Sequence, residues 1–418
     1  MRGEIRAGYK QTEVGIIPED WEVVEAFDLK PFITSGSRGW AKYYSDRGAL
    51  FLRITNLSRT WLYPDISDQK LVEIPEGDTE GQRTSLQDGD ILISITADIG
   101  VIGYVGQEVP KPAYINQHIA CLRLPAAKTD SLFQSYYLAS QGPQKRFMEM
   151  TDIGAKSGIN LTTVGKLKLI HPPLPEQCAI AAALADADAL IAALEGMIAK
   201  KRDIKQAAMQ HLLTGKTRLP GFSGEWEVKR LGEVAFVFDG THQTPSYVPS
   251  GIPFYSVEHV TSSDFSNTKF ITPTEHKFLT RTVKIERGDI LMTRIGSIGD
   301  CKLVDWEVDA SFYVSLALLK IRPGTSARYI EQYSKTRDFQ MEIEMNSLMQ
   351  AIPKKINLGP IRRLAIRLPS SLEEQTAIAE VLSDMDDDLA AFEAQAAKAR
   401  AVKQGMMQDL LTGRVRLV

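Results

Sequence analysis

The 418-residue chain lacks most of the features that announce a chemistry. Cysteine is scarce. Cys121, Cys178 and Cys301 are odd in number, widely separated and free of CxxC or His/Cys spacing, which argues against a disulfide framework or a zinc site and suits a reducing cytoplasm. The histidines at 118, 171, 211, 242, 259 and 276 show no ligand spacing, so neither a metal nor a cofactor is expected. An adenine methyltransferase carries an Asn/Asp-Pro-Pro-Tyr/Phe loop for a flipped base and a Gly-rich turn for the methyl donor; this chain has neither. A restriction nuclease needs Pro-Asp followed at a distance by Asp/Glu-x-Lys to hold a metal. Pro64-Asp65 is followed by Asp68-Gln69-Lys70, but two intervening residues are too few for separate strands, and the stretch reads as a surface turn. No catalytic residue is assigned, and the chain is expected not to be an enzyme.

Long apolar runs are missing too. The N-terminal MRGEIRAGYKQTEVG has no apolar core of the secretory kind. The most apolar stretch, residues 179–194, is Ala-rich, carries Asp186 and Asp188, and falls short of the roughly 20 apolar residues that span a bilayer. A soluble, cytoplasmic protein without membrane contact is expected. A positive balance is also absent, the formal net charge being −3. Phosphate affinity comes from Lys and Arg, so a nucleic-acid partner would need locally concentrated positive charge or help from another subunit.

What is present is a double repeat. LPEQCAIAAALADADALIAALEGMIAKKRDIKQAAMQHLLTGKTRL, from Leu174, aligns without gaps to LEEQTAIAEVLSDMDDDLAAFEAQAAKARAVKQGMMQDLLTGRVRL, from Leu372; roughly 25 of about 46 positions are identical. Weaker echoes precede each copy: GDILIS from Gly89 and GDILMT from Gly288, Ile159-Asn160-Leu161 and Ile356-Asn357-Leu358, and Trp-Glu-Val at Trp21 and Trp226. The C-terminal TGRVRLV followed by the N-terminal GIIPEDWEV resembles the central TGKTRLPGFSGEWEV cut open, the mark of a pseudo-twofold, nearly circular molecule with neighbouring termini.

The repeated blocks read as long helices. Ile180, Leu184, Ala187, Ile191, Leu194 and Ile198 follow a 4-3-4-3-4 spacing, repeated by Ile378, Leu382, Met385, Leu389, Phe392 and Ala396, the seam of a coiled coil. Gly215 and Gly413 stand where C-cap glycines belong. A helix of about 40 residues is about 60 Å long, and two in one chain, separated by a whole domain, can return and pair antiparallel. Lys200, Lys201, Arg202 and Lys205, and likewise Asp384, Asp386, Asp387 and Asp388, read as solvated faces. The blocks between are strand-rich, with runs at residues 49–54, 90–95, 252–257 and 289–293, and helical stretches such as residues 132–150. The fold class is therefore α+β: two pseudo-twofold-related globular α/β domains separated by two long antiparallel coiled-coil helices. The segments are an opening stretch 1–20, a first domain 21–172, a first helix 173–217, a second domain 218–369 and a second helix 370–418.

In order and twice over, these motifs resemble the specificity subunit of type I restriction-modification enzymes. GYKQTEVGIIPEDWEV resembles that family's opening segment, and HPPLPEQCAI and LLTGKTRLPGF its conserved regions. ITSGSRGWAKYYSDRGALFLRITNL and DGTHQTPSYVPSGIPFYSVEHV resemble openings of its recognition domains. SSLEEQ departs by lacking the prolines. The resemblance implies a non-catalytic protein that binds double-stranded DNA, reads one half-site per domain across an unread spacer, and works with methyltransferase subunits and a motor-nuclease subunit. Two alternatives stand beside it, a coiled-coil scaffold for proteins and a standalone DNA-modifying enzyme. Base edges are read by Arg, Asn, Gln, Ser and Thr, and phosphates are held by Lys and Arg. On that chemistry the candidate DNA contacts are Arg38, Lys42, Tyr43, Arg53, Asn56, Asn116, Gln117, His118 and Lys156 in the first domain. In the second they are Thr241, His242, Gln243, Thr244, Tyr247, His259, Arg294, Lys354 and Lys355.

Overall fold

A computed structural model describes residues 6–77, 79, 81–152, 158–348 and 350–417. The chain divides into two compact units, residues 1–194 with 395–418, and residues 195–394. Two 39-residue helices, Leu174–Leu212 and Leu372–Leu410, each lend one half to each unit without a break.

The units are built alike. In the first, a four-stranded antiparallel sheet runs in the order Phe32–Ser35, Ile119–Arg123, Ile91–Ser94, Ile102–Tyr104. In the second, the order is Ala235–Asp239, Leu316–Ile321, Ile290–Thr293, Cys301–Leu303, the same topology. The strand Ile91–Ser94 is buried at every residue, which is why it reads as a continuous apolar run and not an alternation. Ile91 and Ile93 face a core shared with Phe133 and Tyr136 of the following helix, while Leu92 faces a core under a second, smaller sheet. Ile290, Met292 and Leu291 divide in the same way. The smaller sheets also correspond, Ala113–Ile115 pairing in parallel with Ala49–Leu52, and Ser311–Phe312 in parallel with Ile252–Tyr255.

The Gly-Asp-Ile-Leu echo has a structural cause. Gly89 (φ 86°) and Gly288 (φ 95°) turn the chain through the left-handed region into each central strand. The next aspartates, Asp90 and Asp289, each accept a backbone N–H from three residues upstream and bind a basic side chain on the adjacent strand, Arg123 Nε and Lys320 Nζ, both at 2.6 Å.

Strands run shorter than their apolar patterns wherever a side chain captures the backbone. Asn56 Oδ1 accepts the Arg53 N–H at 2.9 Å and turns the chain into a 3₁₀ segment, ending the first run at Leu52. His259 Nδ1 accepts the Ser256 N–H at 2.9 Å and opens a short helix, Val257–Ser262, ending the second at Tyr255. The stretch 132–150 is two helices, Ser131–Ala139 and Gln141–Asp152, meeting at Ser140.

The long helices pair antiparallel inside each unit. In the first, Asp188 binds Lys403 Nζ at 2.5 Å, and Glu176 binds Arg416 Nε at 2.6 Å. In the second, Lys205 binds Asp386 and Glu374 binds Arg218 Nε at 2.5 Å. The two sets are repeat-equivalent, and partner numbers descend as helix numbers rise. The stripe residues Ile180, Leu184, Ile191, Ile198, Ile378 and Leu382 are buried, and Leu194, Met385, Leu389 and Phe392 half-buried. At the helix starts the stripe faces more than a partner helix: Ile180 and Leu184 pack with Phe133, Tyr136 and Leu169 as well as with Leu410.

The two charged runs on the helices are not simply solvated. Lys201 binds Asp388 at 2.6 Å, Lys205 binds Asp386, and Arg202 binds Glu393, so in the second unit the basic face of one helix meets the acidic face of the other. Leu174–Leu212 is long and apolar enough to cross a membrane by length and composition. Its buried Glu176, Gln177 and Asp188, all hydrogen-bonded or ion-paired within the first unit, give it a polar role in a packed core instead.

The repeated Glu-Gln is the clasp of each unit. Gln177 accepts from Thr129 Oγ1 (2.8 Å) and Asp130 N (2.9 Å) and donates to the Pro172 carbonyl, fixing the helix start to the domain. Gln375 accepts from Ser326 N and donates to the Pro369 carbonyl, both at 2.9 Å. Where the second copy lacks prolines, Ser371 Oγ accepts the Glu374 N–H at 3.2 Å and caps the helix. Arg416 lies over the Trp21 ring and Arg218 over that of Trp226, 5.5 and 5.9 Å from the centroids. The C-terminal segment thus docks on the N-terminal one in the first unit as the central linker docks in the second. Tyr9 Oη adds a bond to the Gly413 carbonyl at 2.8 Å.

Candidate nucleic-acid interface

Strand register brings a set of loops to one end of each large sheet. Ser35 lies opposite Ala120, and Ser94 opposite Ile119, so residues 36–39, 95–100 and 116–118 all emerge at that end. In the second unit Asp239 lies opposite Ala317, and Thr293 opposite Leu316, which brings residues 240–244, 294–300 and 313–315 to the equivalent end. Gly36 and Gly240 make this rim possible. A Cβ on Gly36 would sit 2.2 Å from the Asn116 carbonyl group, and one on Gly240 would sit 2.5 Å from that of Tyr313. Only glycine lets the two loops approach so closely.

In the first unit the rim forms an open cleft of about 470 Å3 lined by Ser35, Gly36, Ser37, Arg38, Thr96, Gln117 and His118. His118 is held from both sides, Nδ1 at 2.5 Å from Thr96 Oγ1 and Nε2 at 2.9 Å from Gln117 Nε2. Asn116 accepts the His118 N–H at 3.1 Å and shapes the turn. Arg38 is exposed at the cleft mouth. The cleft thus presents a guanidinium, an amide, a hydroxyl and an imidazole, the donor and acceptor types that read base edges.

In the second unit Thr241 Oγ1 accepts the Gln243 N–H at 3.3 Å, and His242 Nε2 lies 2.8 Å from Asp239 Oδ2. His242, Gln243 and Thr244 are exposed. Lys354 and Lys355, also exposed, join this rim through backbone pairing: Gly296 donates to the Lys354 carbonyl at 2.8 Å, and Lys355 bridges Ile295.

The remaining candidates stand elsewhere. Tyr43 is buried with Trp40 and Phe51, and exposed Lys42 lies over its ring at 4.5 Å. Arg53 donates to Asp68 Oδ2 at 2.8 Å, and buried Asn56 donates to the Asp65 and Asp68 carbonyls at 2.7 and 3.1 Å, so both brace one loop. His259 is 2 % exposed among Tyr255 and Phe265. Tyr247 packs edge-on against Phe254 under Lys269, on the smaller sheet, and burial raises its hydroxyl pKa. Arg294, 6 % exposed, binds Asp239 and the Ile356 carbonyl, holding the rim from beneath. Lys156 lies outside the described residues. Ser37, Thr96 and Ser315 are rim residues that side-chain chemistry alone did not single out; the glycine and turn signals beside two of the rim loops were the available clue. Among the described residues, no group of three His, Cys, Asp or Glu side chains is arranged to hold a metal.

Comparison with known proteins agrees with this doubled architecture. The sequence pattern of the type I restriction modification DNA specificity domain matches twice, over residues 18–201 and 223–399. A Methanocaldococcus jannaschii protein described as a candidate MjaX specificity subunit of a type I restriction enzyme is 28 % identical across 98 % of this chain and 97 % of its own length. The MjaVIII specificity subunit from the same organism is 28 % identical over 50 % of this chain and 49 % of its own. In fold, the chain is similar to the S subunit of a type I restriction-modification system from M. genitalium, with a TM-score of 0.63 at 15 % identity, covering 93 % of this chain and 96 % of that one. A chain from a structural study of assembly and conformational transition in a type I R-M system gives a TM-score of 0.51 at 16 % identity, covering 96 % and 99 %. With both halves matched, this protein belongs to the type I restriction-modification specificity-subunit family.

Proposed function

We propose that the chain reads an asymmetric, bipartite double-stranded DNA target, one half-site per recognition domain (residues 21–172 and 218–369), and directs methyltransferase subunits and a motor-nuclease subunit to it without doing chemistry itself. One observation carries this reading. The same sheet topology presents its loop rim twice with different side chains: Arg38, Thr96, Gln117 and His118 in one unit, and Thr241–Thr244, Lys354 and Lys355 in the other. A repeated scaffold with two unlike rims suits two unlike half-sites. The rim residues are the proposed base and phosphate contacts. Arg294 is proposed to support the second rim from behind, whereas Arg53 and Asn56 brace the loop at residues 65–68 and His259 opens the helix Val257–Ser262.

The test is a methylome of cells carrying this chain with its methyltransferase subunit, before and after residues 21–172 are exchanged for the corresponding domain of a relative. One half of the methylated target should change while the other half stays. A change in both halves, or in neither, defeats the modular reading. Methylation or cleavage of DNA by the purified chain alone would defeat the non-catalytic one.

A further inference from the structure

One loop at the rim of the second unit presents an apolar side chain wholly to solvent. Ile352 is fully exposed, at 101 % of its reference area, and the next most exposed large apolar side chain among the described residues is Met345, at 73 %. Leu348, at the base of the same loop, is 49 % exposed. The loop is anchored at its base. Leu348 N donates to the Lys355 carbonyl at 2.8 Å, Ala351 N to the Leu348 carbonyl at 3.1 Å, and Ile356 N to the Arg294 carbonyl at 2.9 Å. Arg294, in turn, is buried and bound to Asp239 at the end of the large sheet. Lys354 and Lys355 follow at once, both exposed, and residues 346–355 contain no acidic side chain.

An apolar point on an anchored base, followed by two cations, fits the surface of duplex DNA: the lysines hold phosphates while the apolar side chain reaches the stacked bases. We propose that Ile352 is a wedge that enters a base step of the second half-site, partly unstacks it and bends the duplex. This rests on the DNA-reading function proposed above and adds an indirect component to it, because the energy of opening a step depends on which bases form it.

The experiment uses the full chain with its methyltransferase subunit and duplexes carrying the methylome-defined target. 2-Aminopurine is placed at successive second-half-site positions other than the methylated adenine, which the methyltransferase extrudes by itself. Wild-type protein should raise fluorescence at one step, and end-labelled duplexes should report a bend in the range of about 20–90° that side-chain wedges produce. Ile352→Ala and Ile352→Ser should return both signals to those of free duplex, whereas Ile352→Leu should keep them; a fully exposed position makes all three neutral for folding. Lys354→Ala with Lys355→Ala should weaken binding and reduce the salt slope by about two, with the fluorescence rise kept at saturation. Tight binding with no fluorescent step, or a step unaffected by Ile352→Ala, overturns the wedge and leaves DNA reading standing. Failure of the wild-type complex to bind its methylated sequence overturns both.

Discussion

Arg218 and Arg416 occupy equivalent places, each over a tryptophan ring and each paired with a glutamate almost without exposure, Glu374 at 1 % and Glu176 at 2 %. Truncating such an arginine leaves a buried carboxylate unpaired, which costs about 3–5 kcal/mol. Arg218→Ala and Arg416→Ala should each lower the denaturant midpoint of their own unit by a loss on that scale. Arg202→Ala, which breaks an exposed pair with Glu393, should cost less than about 1 kcal/mol. Urea unfolding of the full chain ranks the three, and an Arg218→Ala loss no larger than that of Arg202→Ala would refute the clasp. The repeat made Glu176–Gln177 visible in the sequence, yet nothing local says that their partners come from residues 129–130 and 416. The site candidates divide on the same line. Arg38, Gln117, His118 and Thr241–Thr244 lie in loops that glycines and strand ends mark, so their shared place at the sheet ends was legible. Asn56, Arg294 and His259 have the chemistry of readers, but Asp68, Asp239 and Ser256 claim them, and only the fold brings most such partners close.

Among the elements, the long helices were legible because heptad spacing is a local property that survives in any context. Their charged faces were not, because a basic run and an acidic run whose paired residues lie 181 to 191 positions apart become one feature only when the helices pair. Asp386 shows the consequence. Burial pushes its carboxyl pKa up, but hydrogen bonds from Lys205 and Gln332, with the charge of Lys335 nearby, outweigh burial and leave it below the ordinary value of 3.8. A folded pKa below the unfolded one means that the unfolded chain takes up the proton first as pH falls. The carboxylate's stabilisation is therefore complete above about pH 5 and is lost below 3.8, as pH descends through the folded value. Wild type should accordingly be more stable than Asp386→Asn at neutral pH, with the gap closing only in that acid window. Denaturant midpoints measured from pH 7 to pH 3 check this, and a gap that closes already near pH 6 would assign the pH dependence to another group. Strand ends were the least legible elements, since Asn56 and His259 stop strands that apolar pattern alone would continue.

At the scale of the whole molecule, the chain is one plan executed twice, with unlike rims on like sheets and two helices that each serve both units. If each domain reads a half-site, the unread bases between half-sites are counted by those helices, and helix length becomes part of the recognition code. Removing seven residues from each, 192–198 and 390–396, keeps the heptad phase of the stripe and the repeat-equivalent pairs Asp188–Lys403 and Lys205–Asp386, and removes Glu393, the exposed partner of Arg202. It shortens each helix by about 10 Å at 1.5 Å per residue, close to three base pairs at about 3.4 Å each. The methylome of cells carrying the doubly shortened chain should show both half-sites unchanged and their spacer reduced by about three base pairs. Shortening one helix alone mismatches the pair and should abolish methylation. Methylation persisting at the original spacer in the doubly shortened chain would mean that something other than the helices sets the distance.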